Sequence, residues 1–162
     1  MQFQERHEFP RPRQAVLKMF SDVRYFKRKF EMTGARAFEV LEEERVGDHF
    51  RIRYRFHVAA QAPLPDFVKK FVRDSMQVMQ EDSWDLTKAT GRLDIEIRGV
   101  PVSVSCDMKL EDTAGGCVNL LNFSLKCSVP LLGGKIEKVL AQDVSVKSKA
   151  DRDASLAILE DY

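Results

Sequence analysis

The sequence lacks a long apolar run and has almost no net charge. No stretch approaches the ~20 consecutive apolar residues that a membrane-spanning helix needs, and the polar segment from Met1 to His7 does not resemble a secretory signal. The 26 Lys and Arg residues balance 25 Asp and Glu residues, so the formal net charge is +1. Such a chain has no overall field to attract nucleic acid or an anionic membrane. We therefore expect a cytoplasmic protein with no transmembrane segment and no nucleic-acid partner.

Cysteine and histidine are also scarce. The three cysteines are odd in number and far apart, which predicts reduced thiols instead of a disulfide framework. The three histidines lack the close histidine or carboxylate spacing of a metal site, so we predict no metal and no cofactor. Cys106 belongs to an alternating apolar series and has no adjacent histidine, which favours a core side chain over a nucleophile.

A chain of 162 residues with 44% hydrophobic residues is long enough for one globular domain with a real core. We expect residues 1–162 to form that single domain. A short strand from Phe3 to Phe9 is stopped by two prolines, and two short helices follow. Ser21 and Asp22 offer an N-cap for the second helix, which ends near Gly34.

From residue 38 onward the apolar period changes to two, most clearly where apolar residues alternate with Arg51, Arg53 and Arg55. These arginines could meet a phosphate, but glutamates on the preceding strand can pair with them. We interpret them as a solvated outer face. The carboxylate runs Glu42–Glu44 and Glu81–Asp82 are interpreted in the same way, as surface charge.

Gly47 and Asp48 mark the hairpin before this strand, but the length of its loop is open. A three-residue loop pairs Val40 with Phe56, whereas a two-residue loop pairs Glu42 with Arg53. We favour three residues.

Further alternating segments predict four more hairpin-connected strands after a break at residues 59–74. Within the break, Pro63 to Val72 contains a short amphipathic helix that we interpret as a flap. In the last hairpin, a loop over residues 113–116 places apolar residues opposite one another on one face. The predicted pairs are Asp112 with Cys117, Met108 with Leu121, Cys106 with Phe123 and Val104 with Leu125.

One long helix is available to cover this apolar face. Residues 135–162 contain no Pro or Gly and suffice for about seven turns. Ile136 and Leu140 belong to its apolar stripe, which Asp143 and Lys147 interrupt. We expect this helix to be a main stabiliser of the domain.

The order of strand, helix pair, six-strand meander and long terminal helix, with the segment Pro-Leu-Leu-Gly-Gly-Lys-Ile-Glu-Lys at 130–138, resembles the START-like or SRPBCC superfamily. Within it, the chain is most similar to the bacterial family called domain of unknown function 2505. The resemblance implies an α+β helix-grip fold of the Bet v-like kind. In that fold a curved antiparallel sheet of about seven strands wraps on the C-terminal helix.

The resemblance also implies an internal cavity, which in various relatives binds lipids, polyketides, plant hormones or other apolar molecules. We therefore favour a protein that binds an apolar small molecule or lipid between the sheet and the terminal helix. The alternative is a cyclase-like or hydrolase-like enzyme that uses Tyr54, Asp143 or Lys147 in the same cavity. The ligand and the oligomeric state stay open. The candidates for the cavity wall are Tyr54, Phe56, Trp84, Ile95, Val104, Met108, Leu121, Phe123, Leu140, Asp143 and Lys147.

Overall fold

A computed structural model describes residues 1–59, 65–71, 73 and 75–162. Within these residues the chain forms seven strands and four helices. In chain order they are β1 (Gln2–Phe9), α1 (Arg13–Phe20), α2 (Val23–Met32), β2 (Arg36–Val46), β3 (His49–Val58), α3 (Asp66–Lys69), β4 (Met76–Asp85), β5 (Thr90–Ile97), β6 (Val102–Thr113), β7 (Gly116–Cys127) and α4 (Gly133–Leu159).

The strands form one antiparallel sheet in the order β1-β7-β6-β5-β4-β3-β2. Strands β2 to β7 are therefore a meander of sequence neighbours, and β1 joins its far edge by pairing with β7. The predicted α+β helix-grip architecture, with seven strands and a long terminal helix, is confirmed.

The register predicted for the last hairpin is correct. Asp112 pairs with Cys117 and Met108 with Leu121, so the apolar side chains of β6 and β7 meet on one face. The ladder extends one pair beyond the prediction, because Gly116 pairs with Thr113. A side chain at Gly116 would begin 2.1 Å from a backbone oxygen of β1, so only glycine allows this close approach.

The loop length favoured for the first hairpin is wrong. Glu42 pairs with Arg53, as a two-residue loop of Gly47 and Asp48 requires. Gly47 has a φ of 56°, which suits the tight turns that match strand twist. The edge strand β2 is mostly exposed, and even Val40 is 36% exposed. Burial of its apolar residues therefore does not decide the register.

Helix α4 begins two residues before the predicted start and is 27 residues long, which corresponds to about 40 Å. It packs at its two ends. Ile136 and Leu140 are buried near the start, and Ala154 and Ile158 near the end, but no residue from 144 to 153 is buried. The middle of the helix is therefore the part that packs least closely against the core.

Aromatic rings fill the space between α2 and the β3 side of the sheet. The ring of Phe30 lies 4.4 Å from that of Phe56, 5.2 Å from that of Phe38 and 5.2 Å from that of Tyr54, measured between centroids. Contacts of this kind add to the free energy of burial. This end of the interior is consequently packed.

The predicted flap is only partly described. Helix α3 lies within it, and its Val68 is fully buried, so this turn is anchored in the core. Pro63 and Val72, at the limits of the predicted flap, lie outside the described residues.

The two packing states of α4 predict different effects of truncating its side chains. Leu140 is 4% exposed, so Leu140→Ala should lower the free energy of unfolding by about 2 to 5 kcal/mol. Val146 is 47% exposed, so Val146→Ala should change it by less than about 0.5 kcal/mol. Urea denaturation of both variants measures the difference, and equal losses would contradict the description of the helix.

Candidate ligand-binding site

A cavity of about 730 Å³ lies between the sheet, α2 and the middle of α4. Most of its wall is apolar, and the exposed wall residues Met32, Arg36, Val146 and Ala150 mark where it meets solvent. The apolar wall residues from the sheet and from the first two helices include Phe9, Phe20, Phe26, Phe30, Phe56, Val58, Met76, Val78, Trp84, Leu93, Ile95, Ile97, Val104, Met108, Leu121 and Phe123.

The structure places most of the predicted candidates on this wall. They are Phe56, Trp84, Ile95, Val104, Met108, Leu121, Phe123, Asp143 and Lys147. Tyr54 and Leu140 lie in the packed core instead. Tyr54 is shielded by the rings of α2, and Leu140 belongs to the part of α4 that contacts the sheet.

Trp84 forms part of the wall by lying across a glycine. Gly91 is its partner on β5, and a side chain at Gly91 would begin 2.7 Å from the indole ring. The indole also stacks on Phe20 with 5.4 Å between centroids. The absence of a side chain at Gly91 thus lets the indole lie close to the sheet.

On one side, α4 is joined to β1 by a polar cluster. Glu5 accepts hydrogen bonds from Ser145 at 2.5 Å and from Ser148 at 2.6 Å. His7 Nε2 lies 3.1 Å from Glu5 and 3.4 Å from Ser148. Burial lowers the pKa of His7, although its hydrogen bond with Glu5 acts in the opposite direction. Through these contacts His7 helps to join β1 to α4.

On the other side, α4 is joined to α2 by an ion pair between a buried lysine and a partly exposed aspartate. Lys29 is 4% exposed, and its Nζ atom lies 2.9 Å from Asp151 and 4.6 Å from the ring centre of Phe30. Burial alone would lower the pKa of Lys29, but the Asp151 carboxylate helps to raise it above its usual value. Lys29 therefore remains a cation inside the protein.

A second contact strengthens this junction. The hydroxyl oxygen of Tyr25 lies 2.8 Å from Ser155 Oγ. Burial raises the pKa of Tyr25 to about 12, so the phenol stays neutral.

A buried carboxyl group, Asp82, lies on the cavity wall at the middle of β4. Its Oδ1 atom accepts hydrogen bonds from the Tyr54 hydroxyl at 2.8 Å and from the Gln80 amide at 3.0 Å. Burial raises the pKa of Asp82, while the nearby Lys29 ammonium opposes that change. The interpretation of Glu81–Asp82 as surface charge is therefore wrong for Asp82.

The pattern of β4 could have revealed Asp82. Its inward-facing residues alternate from Met76 through Val78 and Gln80 to Trp84, and Asp82 falls in that series. Glu81 points to the opposite face and pairs with Arg51 at 3.1 Å. The predicted pairing of the β3 arginines with the preceding strand is also present, since Arg51 lies 3.0 Å from Glu42.

Two more polar groups reach the wall. Lys147 forms an ion pair with Asp143, one turn earlier on α4. Asn119 of β7 is opposite His7 of β1, and its Oδ1 atom is buried with no hydrogen-bond partner among the described residues. The wall is thus apolar with a few polar groups, which is typical of small-molecule sites.

Metal ligands and nucleophiles do not assemble in the part of the chain that the structure describes. No group of three His, Cys, Asp or Glu side chains there could hold a metal ion. Cys106 is fully buried, and burial raises its pKa to about 12. Its thiol is therefore a core group, because nucleophilic cysteines need a thiolate.

Comparison with known families gives a match over residues 4–156 to the family described as Protein of unknown function (DUF2505). The chain belongs to this family. The prediction made from the topology and the segment at 130–138 is thereby confirmed. No curated protein matches the sequence of this DUF2505 member.

Solved structures share the fold at low sequence identity. Ara h 8.0201 is 17% identical with a TM-score of 0.68, covering 100% of this chain and 99% of that one. TTHA0849 from Thermus thermophilus is 17% identical with a TM-score of 0.65, covering 98% and 99%. Protein Ms6760 from Mycobacterium smegmatis is 11% identical with a TM-score of 0.65, covering 98% and 90%. These similarities establish the START-like fold of the DUF2505 chain.

None of the helices in the described ranges is long and apolar enough to cross a bilayer.

The raised pKa of Asp82 predicts a pH-dependent contribution to stability. The folded protein holds the proton more tightly than the unfolded chain, so stability is lost as pH rises from the ordinary aspartate range through the raised pKa. Asp82→Asn keeps the acceptor for Tyr54 and Gln80 but cannot ionise. Its stability relative to the native protein should therefore increase over that pH interval.

Urea denaturation at a series of pH values measures this effect. Glu81→Gln, on the outer face of the same strand, is the matched control and should not reproduce it. A constant difference between the native protein and Asp82→Asn at all pH values would contradict the assignment.

Proposed function

We propose that residues 1–162 act as one domain that binds an apolar small molecule or lipid in the cavity between the sheet and α4. The observation that carries the proposal is the cavity itself, about 730 Å³ with a mostly apolar wall. A void of this size is far larger than the gaps left in a close-packed core. Burial of apolar ligand surface there is favourable, because that surface is removed from water.

The form of the cavity supports binding of a molecule from solution. The middle of α4 borders it without burying any residue from 144 to 153, so the space reaches the surface. Membership of the START-like superfamily supports the same proposal, since relatives in that superfamily bind apolar molecules. A compartment with reduced thiols, the cytoplasm, agrees with three cysteines that are all free.

A second candidate function is a cyclase-like or hydrolase-like enzyme. Asp82 favours it, since a buried carboxyl group with a raised pKa can serve as a general acid. Of the polar residues suggested from the sequence, Tyr54 donates to Asp82, whereas Asp143 and Lys147 form their own ion pair. Conversion of the natural ligand by the native protein, lost in Asp82→Asn, would support catalysis over simple binding.

Native mass spectrometry of the purified protein tests the proposal most directly. An additional mass that disappears on extraction with organic solvent would identify a bound apolar molecule. Its absence, together with failure to bind added apolar probes, would exclude the proposed function.

Trp84 provides an optical measurement, because it is the single tryptophan and lies on the wall. Titration with the apolar probe N-phenylnaphthylamine should change its emission. Val104→Phe fills part of the cavity and should weaken probe binding about tenfold or more.

The matched control is Ser103→Phe, on the exposed face of the same strand, which should bind the probe like the native protein. Unchanged emission of Trp84 at saturation, or equal weakening in both variants, would contradict binding in this cavity.

A further inference from the structure

The polar part of the wall contains one carboxyl oxygen that the protein leaves available. The hydrogen bonds that Tyr54 and Gln80 donate to Asp82 both end on Oδ1. Among the described residues no group donates to Oδ2, although Asp82 is only 8% exposed and lines the cavity. Oδ2 is therefore the carboxyl oxygen that a molecule in the cavity can reach, which makes it a candidate contact for a ligand.

The charges around Asp82 are already matched without it. Lys29 is 2.9 Å from Asp151, so the nearest cation has its own carboxylate partner. Burial raises the pKa of Asp82, although the Lys29 ammonium and the two hydrogen bonds on Oδ1 act in the opposite direction. Titratable groups on four neighbouring elements interact with Asp82. They are Tyr54 of β3, Tyr25 and Lys29 of α2, Cys106 of β6 and Asp151 of α4.

The two hydrogen bonds on Oδ1 decide where the acid proton lies. A carboxyl oxygen offers two lone pairs, and here the Tyr54 hydroxyl and the Gln80 amide occupy both. The proton of the neutral acid therefore belongs on Oδ2, on the side of the cavity. There it is a hydrogen-bond donor on the cavity side, between Gln80 and Trp84 on the same face of β4.

We propose that Asp82 binds a carbonyl oxygen of an otherwise apolar ligand by donating a hydrogen bond from Oδ2. This inference rests on the proposed binding function and specifies the class of ligand. A carbonyl oxygen accepts hydrogen bonds but donates none, so it complements a donor that has no other partner. Tyr54 and Gln80 are positioning residues, because their hydrogen bonds fix the carboxyl group of Asp82 and do not contact the ligand.

Benzophenone and diphenylmethane test the inference, because they differ only in a carbonyl in place of a methylene group. Competition with N-phenylnaphthylamine gives both affinities, and their ratio is compared between variants so that the different hydration of the two probes cancels. Asp82→Leu should lower the affinity for benzophenone relative to that for diphenylmethane by about tenfold. Asp82→Asn should retain it, since the amide can accept from Tyr54 and Gln80 and donate in place of Oδ2. Glu81→Gln is the control and should also retain it.

The carbonyl stretching frequency of bound benzophenone gives a second measurement that does not require Asp82→Leu to fold. It should fall below its value in hexane for the native protein and for Asp82→Asn, because each donates a hydrogen bond to the oxygen. A frequency equal to that in hexane in the native protein would overturn the inference.

The outcomes separate this inference from the proposed function. If both probes bind but their ratio is the same in all variants, ligand binding stands and the role of Asp82 is wrong. If neither probe binds, both proposals fail. If benzhydrylamine binds to the native protein and is lost in Asp82→Asn, Asp82 acts as a carboxylate toward an amine, which also overturns the inference.

Discussion

Two sets of polar contacts fix the position of the middle of α4. Glu5 accepts from two serines on one side of the helix, and the Lys29–Asp151 ion pair joins it to α2 on the other. An amphipathic helix otherwise gains free energy by closing onto an apolar sheet face. A buried ion pair is weak evidence for stability, because desolvation offsets most of the attraction between the charges. Its contribution here is geometric, since it fixes the distance between two helices that border the same space.

The packed and the hollow parts of the interior meet at Tyr54. Its ring packs against Phe26 and Phe30, while its hydroxyl donates to Asp82 on the cavity wall. The position of the carboxyl group therefore depends on the aromatic core behind it. Gln80 restrains the same oxygen along the strand. A group held by two donors and a rigid ring is pre-organised, which is the property that binding and catalytic sites share.

The sequence predicted the architecture well wherever one face of a strand is fully buried. In the β6–β7 hairpin a one-residue shift of register would move apolar side chains to solvent, so the pattern restricts the pairing. The first hairpin lacks this constraint, because the edge strand β2 is exposed along most of its length. Its register depends on the turn at Gly47, and the apolar period misled the prediction there.

The polar part of the site was harder to predict for a different reason. Alternation along β4 places Asp82 inside, and helical spacing places Lys29 on the same face as Tyr25 and Phe26. Those local patterns predict the face on which each side chain lies. The partner of Lys29 is Asp151, on a helix that is distant in sequence, and no local pattern specifies that contact. Contacts between polar residues that are distant in sequence, such as this one, are therefore the hardest to predict.

The glycine beneath the indole of Trp84 affects the shape of the cavity. Gly91 belongs to β5, so the indole of Trp84 lies directly on the backbone of the sheet at this point. A single methyl group at this position would displace the indole. The residue at position 91 thereby affects the shape of the cavity wall without altering any residue of α4.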